Sequence, residues 1–308
     1  MQFSNCSVRN DVERAVIMAQ TTVGVIGLGI MGGAIARNLL AVRMCVRGYD
    51  IDASRFEALK PNGIAATSAG EAARGADVVL TSLPSAKALD ETVASLLAAN
   101  VRGLVVAELS TLPIEAKEKA RAALAAGGIA SLDCPLSGTG AQAVTRDLAV
   151  YASGERAAYD RAEPVFRGFA RATHYLGAFG NGSKMKFIAN LLVAVHNVAS
   201  AEAMVLGMKA GLDPETIVKV IASGAGNSRV FELRAPLMGA GNYAPTMKID
   251  IWQKDMAIIA DFAKALGVPV PTFAASAPVY NEAQAAGRGG EDTAAVAEII
   301  AQQAGLKR

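Results

Sequence analysis

Gly27, Gly29 and Gly32 follow the apolar run Val23–Ile26 at a spacing that lets a backbone turn receive a pyrophosphate. Gly27 permits a tight turn after a strand, Gly29 clears a path to the backbone, and Gly32 lets a helix pack close to that strand. The segment through Leu28, Ile30 and Met31 then offers N–H groups and a positive dipole end at the helix N-terminus. A second strand ends at Asp50, where a carboxylate accepts hydrogen bonds from adenosine ribose hydroxyls and repels a 2′-phosphate. The pattern predicts a dinucleotide pocket that takes NAD rather than NADP. The competing reading is that Asp50, with Asp52 and Ser54, only caps the next helix.

A second group of polar residues lies after a glycine turn, on a long apolar helix expected from about Ser183 to Ala210. Lys186 and Asn190 are one turn apart and about 40° around the axis, and Asn197 is about 20° from Lys186. His196 lies about 80° away and Glu202 is nearly opposite. Three polar residues on one apolar stripe would be buried without partners unless the stripe lines a cleft. The preceding segment Gly177–Lys184 superficially resembles a P-loop, but the order Gly182-Ser183-Lys184 inverts the Lys-Ser sequence that such loops need. His174 and His196 are read as packing or hydrogen-bonding residues.

Short β-branched runs alternate with Ala-rich helical stretches from Thr22 to about Leu176, and after Gly182 the pattern is helical throughout. The expected fold is α/β, a Rossmann-type doubly wound parallel sheet followed by an all-helical second domain. The expected divisions are an N-terminal extension over 1–20, a dinucleotide-binding domain over 21–182 and a helical substrate and oligomerisation domain over 183–308. Residues 1–20 have no apolar core of a secretory signal, and Met18 reads as an alternative start. A net charge of +2 with scattered basic residues gives no footprint for nucleic acid. Asn190, His196, Asn197, Ser200 and Glu202 interrupt the apolar stretch Phe187–Met208, so a buried soluble helix accounts for it better than a membrane span. Cys6, Cys45 and Cys134 are odd in number and lack metal-ligand spacing, which suggests reduced thiols in a cytoplasm and no metal site.

Four motifs in order make the chain from residue 20 onward resemble the β-hydroxyacid dehydrogenase family. They are Gly27-Leu-Gly-Ile-Met-Gly32, Asp133-Cys-Pro-Leu-Ser137-Gly138-Thr139, Gly180-x-Gly182-x-x-x-Lys186-x-x-x-Asn190, and Ile249-Asp-Ile-Trp-Gln-Lys254-Asp255. Val195-His196 and Ala225-Gly-Asn227-Ser228-Arg-Val-Phe231-Glu resemble its L-threonate dehydrogenase branch. The resemblance implies that Lys186 is a general acid/base, a role that a lowered pKa in a closed cleft would favour, and that Asn190 orients the substrate. It implies a loop of Ser137, Gly138 and Thr139 around a substrate carboxylate. Lys254, supported by Asp255, would reach the cofactor, with Leu83, Pro84, Ser110 and Thr111 close to it. Relatives commonly have glycine where Thr139 stands, which alters the carboxylate pocket. Lys184 competes with Lys186, but the spacing to Gly180 and Asn190 favours Lys186; the bland reading makes Lys186 and Lys254 solvated helix charges.

The implied reaction is hydride transfer between a small hydroxy acid, L-threonate-like or 3-hydroxyisobutyrate-like, and NAD. Alternatives are reduction of small aldehyde acids such as succinic or tartronic semialdehyde, and a non-catalytic NAD-binding reader. Ala189 replaces the histidine of the 6-phosphogluconate dehydrogenase motif, and Lys186 argues against imine reduction. The family resemblance also implies a homodimer or homotetramer.

Overall fold

The computed structural model describes residues 21–306, so the expected N-terminal extension over 1–20, including Cys6, lies outside the described residues. The chain divides into two compact units, the first ending at Lys186 and the second beginning at Phe187.

The first unit is built on β1 (Thr22–Ile26), β2 (Cys45–Tyr49), β3 (Ile64–Ala65), β4 (Val78–Thr81), β5 (Val105–Glu108), β6 (Ala130–Asp133), β7 (Leu136–Ser137), β8 (Ala149–Gly154) and β9 (Ala172–Tyr175). Their order is β3-β2-β1-β4-β5-β6-β8-β7, with β9 against β8. The connections carry α1 (Ile30–Ala41), α2 (Ala69–Ala73), α3 (Ala86–Ala98), α4 (Ile114–Ala126), α5 (Gly140–Val144) and α6 (Arg156–Phe169). Strand order reverses at β1/β4, the switch point where a doubly wound sheet opens a crevice at its carboxyl edge.

Alternation along each strand explains why both faces are covered. Val23, Val25, Val78, Leu80, Val105 and Ala107 pack into one buried layer, while Ile26, Val79 and Val106 face a second. Successive strand residues point to opposite faces, and a parallel sheet needs helices on both, so near-continuous apolar runs such as Val78–Leu80 fit no exposed site.

The sheet is predominantly parallel, as the sequence pattern predicts, with antiparallel pairing confined to the contacts of β8 with β6 and β7. β1, β2, β3, β4, β5 and β6 pair in parallel, but β8 runs antiparallel to β6 and β7. Between β6 and β8 the chain forms only β7 and the five-residue α5, with no helix long enough to cross a sheet face as a parallel connection requires. β3 and β7, two residues each, are too short to show periodicity in the sequence.

Helix α7 (Asn181–Lys209) runs from the first unit into the second, which adds α8 (Pro214–Ala222), α9 (Arg229–Ala240), α10 (Ile249–Ala265), α11 (Pro271–Ala283) and α12 (Val296–Gln303). Helix α7 is long and apolar enough to cross a membrane, but the buried amide nitrogens of Asn190 and Asn197 bond to protein groups. Asn197 Nδ2 donates to the Tyr280 hydroxyl (2.9 Å) and to the Thr293 carbonyl (2.8 Å), and the Tyr280 hydroxyl donates to the Ala194 carbonyl (3.1 Å). Burial pushes the Tyr280 phenol up to about 12, so it stays protonated and keeps this donor.

Asp292, fully buried, organises the far end of this unit. Its carboxylate accepts from the N–H groups of Thr246, Met247 and Ala294 and from the Thr246 hydroxyl, with Arg234 Nε at 3.6 Å. Burial pushes its pKa up, but Arg234 and these donors outweigh that and hold it below the ordinary 3.8. A depressed native pKa contributes stability above the unfolded value that is lost as pH falls through the native one. Asp292→Asn is expected to destabilise by about 3–5 kcal/mol at pH 7, read by urea unfolding followed at Trp252. The gap from wild type should narrow below pH 3.8; a pH-independent gap would refute the charged role.

Candidate functional site

Five parallel strands end level with one another at the carboxyl edge, where Tyr49, Ile26, Thr81, Glu108 and Asp133 are successive register partners. The glycine turn leaves β1 at this edge. Gly27 has φ +87°, and a Cβ there would collide with the Ser82 carbonyl; a Cβ on Gly32 would collide with the Gly27 carbonyl. At Gly29, by contrast, no atom lies within 4 Å of where a Cβ would stand. The backbone is thus bare where a pyrophosphate would approach, and no side chain caps α1, whose first turn holds Ile30, Met31 and Gly32. A dinucleotide fits this cradle.

Asp50 closes the cradle from β2. Its Oδ2 accepts the Leu28 N–H at 2.6 Å and its Oδ1 the Asp52 N–H at 2.9 Å. The capping role falls to Asp52, which accepts the Ser54 N–H as N-cap of the short 3₁₀ helix Ala53–Leu59. On the other side of β1, the Leu83 N–H is held by Ser110 Oγ at 2.7 Å, and Pro84 beside it is exposed. Thr111, next along, is half-buried.

Beneath these loops is a buried ion cluster that the sequence reading missed. Lys117 Nζ lies 2.6 Å from Glu108 Oε2 and 2.8 Å from Asp133 Oδ1, with side-chain exposures of 1%, 6% and 0%. Burial opposes the charge on Lys117, but Asp133 and Glu108 outweigh it and hold the ammonium above its ordinary pKa. The sequence signal was available: a carboxylate ending a strand buried on both faces needs a cation or several donors beside it. Cys134, next to Asp133, is a buried thiol whose pKa is raised well above normal by burial and by Asp133. It is no nucleophile.

Asp133 also receives the start of α7. Ser183 donates its N–H to Oδ2 (2.7 Å) and its hydroxyl to Oδ1 (2.8 Å), while Gly182 N–H donates to Ser153 Oγ (2.9 Å). A Cβ on Gly182 would collide with the Tyr151 carbonyl and lie 2.7 Å from the Asp133 carbonyl, so glycine is required for this approach. Lys186 follows one turn later and is half-buried; Lys184 is exposed and donates to Asn181 Oδ1 at 3.2 Å.

Ser137 ends β7 and Gly138 follows at φ +131°, where a side chain would meet Leu148. Thr139 is the N-cap of α5 in a capping box: its N–H donates to Gln142 Oε1 at 3.0 Å, and its hydroxyl accepts the Gln142 N–H at 3.4 Å. The Thr139 amide is therefore committed within the protein. The spacing Thr139-x-x-Gln142 carries that signal in the sequence.

In the second unit the helical stripe does not act as one surface. Asn197 turns its amide nitrogen to Tyr280 and the Thr293 carbonyl, within the helical unit, while its buried Oδ1 has no hydrogen-bond partner among the described residues. Asn190 donates Nδ2 to Asp255 Oδ2 at 3.0 Å, and Asp255 Oδ1 lies 3.0 Å from Lys254 Nζ. One buried carboxylate thus fixes both the amide and the ammonium.

The profile of the NAD-binding domain of 6-phosphogluconate dehydrogenase matches residues 22–177. A second profile, described as the NAD-binding of NADP-dependent 3-hydroxyisobutyrate dehydrogenase, matches residues 180–300. The chain is 38% identical to an L-threonate dehydrogenase of Cupriavidus necator, covering 90% of this chain and 95% of that one. It is 32% identical to a 3-sulfolactaldehyde reductase of Escherichia coli, covering 92% and 97%. The crystal structure of a 3-hydroxyisobutyrate dehydrogenase from Salmonella typhimurium superposes with a TM-score of 0.83 at 33% identity, covering 91% of this chain and 100% of that one.

Asp50→Ala unclips Leu28 and, if Asp50 accepts from a cofactor ribose, removes that acceptor. Its kcat/KM ratio for NAD over NADP is expected to fall by about tenfold or more, since one hydrogen bond to a charged group is worth about 1.5–3 kcal/mol. A wild type that already favours NADP would refute the ribose role.

Proposed function

Because this chain belongs to the β-hydroxyacid dehydrogenase family and is an NAD-dependent oxidoreductase of hydroxy acids, we propose that its substrate is a small polyhydroxy acid of the L-threonate type. The identity of 38% to an L-threonate dehydrogenase over nearly its full length carries this reading. Reduction of a small aldehyde acid is the same chemistry reversed, and the similarity to a 3-sulfolactaldehyde reductase supports it as the second reading.

The nicotinamide, when bound, supplies the hydride acceptor. Lys186 Nζ takes the hydroxyl proton as the same carbon loses hydride and becomes a carbonyl, and returns it in reduction. The amine must be neutral for oxidation and protonated for reduction, so rising pH favours the first and slows the second. Asn190, its Nδ2 turned to Asp255, offers Oδ1 to a substrate hydroxyl. Ser137 Oγ and the Gly138 N–H receive the carboxylate, while Thr139 contributes shape. Gly27, Leu28, Gly29, Ile30, Met31, Gly32, Asp50, Leu83, Pro84 and Thr111 hold the cofactor, and the family resemblance adds Lys254 to these contacts.

We also infer a cytoplasmic homodimer or homotetramer. Met185, Ile188, Leu192 and Leu206 are 40%, 54%, 49% and 73% exposed along α7. Their spacing of three, four and fourteen residues repeats one helix stripe, which supports burial against another copy. Cys45 and Cys134 are unpaired thiols, which supports a reducing compartment.

Turnover of L-threonate with NAD tests the substrate directly, against 3-hydroxyisobutyrate and small aldehyde acids in the reverse direction. Lys186→Ala is expected to bind NADH normally in a fluorescence titration and to lose about 10²- to 10⁴-fold in kcat. Near-normal turnover in that variant, with Lys184→Ala inactive, would transfer the role to Lys184.

Ser137→Ala is expected to lose about 1.5–3 kcal/mol in kcat/KM on hydroxy acids but little on the corresponding esters. Equal losses on both would remove Ser137 from the carboxylate pocket.

A further inference from the structure

The buried Glu108–Lys117–Asp133 cluster is larger than strand packing needs. Three charges taken out of water are at best neutral for stability relative to well-packed apolar side chains, so their presence calls for another account. Each carboxylate meets Lys117 and also binds a different loop of the site. Glu108 Oε1 accepts the Ser110 N–H at 2.9 Å, and Ser110 Oγ accepts the Leu83 N–H at 2.7 Å. Asp133 accepts both the N–H and the hydroxyl of Ser183, and Ser153 Oγ, which donates toward the Asp133 carbonyl (3.2 Å), accepts the Gly182 N–H. Lys186 is the i+3 neighbour of Ser183, on the same side of α7.

We propose that Lys117 is a positioning residue: one buried cation ties the cofactor-side loop at Leu83 and Ser110 to the helix start that carries Lys186, and so sets the proton-transfer amine relative to the cofactor loop. The proposal rests on the role given above to Lys186. The connection is continuous from Leu83 N–H through Ser110, Glu108, Lys117 and Asp133 to Ser183, and every member lies in the first unit. Ion pairs suit this purpose better than apolar contacts because their geometry is directional. A buried Lys between two fixed carboxylates has one low-energy position, whereas packed methylenes slide. Gly182 supports the same reading, since only glycine allows the helix start to sit against the Asp133 and Tyr151 carbonyls.

The test compares wild type with Lys117→Met and with the double variant Glu108→Gln/Lys117→Met, which restores the cluster's native net charge without its bridge. Displacement of a catalytic group by about 1 Å can cost on the order of 10²-fold, so both variants are expected to lose about 10- to 100-fold in kcat on whichever hydroxy acid the wild type turns over. The NADH dissociation constant from fluorescence titration should change by less than about threefold, because the glycine turn and Asp50 are untouched. In protein without cofactor, amide hydrogen exchange at Ser183 and Lys186 should accelerate by about tenfold, while Val25 in β1 keeps its protection.

Recovery of kcat in the double variant would show that charge balance alone matters and would overturn the proposal. So would equal loss of protection at Val25 and Ser183, which marks a merely structural role. Unchanged kcat together with unchanged exchange would overturn it as well. A wild type inactive on every hydroxy acid would instead defeat the functional reading, and the exchange arm would still decide whether Lys117 holds the start of α7.

Discussion

Parallel pairing makes neighbouring strands emerge at the same edge of the sheet, and in this protein five of them stop at one level. Tyr49, Ile26, Thr81, Glu108 and Asp133 share a register line. Five of the loops around the site leave from that line: Asp50 after Tyr49, the glycine turn after Ile26, the Leu83 loop after Thr81, Ser110 after Glu108, and the Ser137 loop after Asp133. Slanted hydrogen bonds between parallel strands fix the level, and the apolar layers on both faces fix the register. A slip of one residue would turn Val23 and Val25 out of their layer and carry the glycine turn away from Asp50.

Two carboxylates on that line are unusual because they are both inside the protein. Glu108 and Asp133 cannot be left unpaired at that depth, and Lys117 in α4 answers both at once. The strand ends, the helix and the start of α7 therefore share one electrostatic centre. The second unit repeats the device with other residues. Asp292 gathers Thr246, Met247 and Ala294 with Arg234 nearby, and Asp255 holds Asn190 and Lys254. In each place a single buried carboxylate converts loose backbone or a flexible side chain into a fixed one.

Glycine serves three separate physical ends at the cofactor turn. Gly27 and Gly32 are imposed by the protein itself, because a side chain at either would strike backbone atoms of neighbouring segments. Gly29 is different: its surroundings are open, and nothing in the fold forbids a side chain there. A bare backbone there suits the close approach of a pyrophosphate.

Features that follow local rules were legible in the chain. Positive φ at Gly27 and the switch from strand periodicity to helix after Gly182 are both set by residues close together in the chain. The family motifs, being short runs, were equally legible. The two-residue strands β3 and β7 were not, because two residues have no period. The direction of β8 was not legible either, because alternation along a strand is the same read either way. Tertiary structure alone decided the partners of Asn197, which lie 83 and 96 residues away, and so decided that its amide is a packing group. It also brought Lys117 between Glu108 and Asp133, which helical and strand periodicities place on separate elements. Burial gives such contacts their strength, and burial is a property of the assembled layers that no stretch of the sequence possesses on its own.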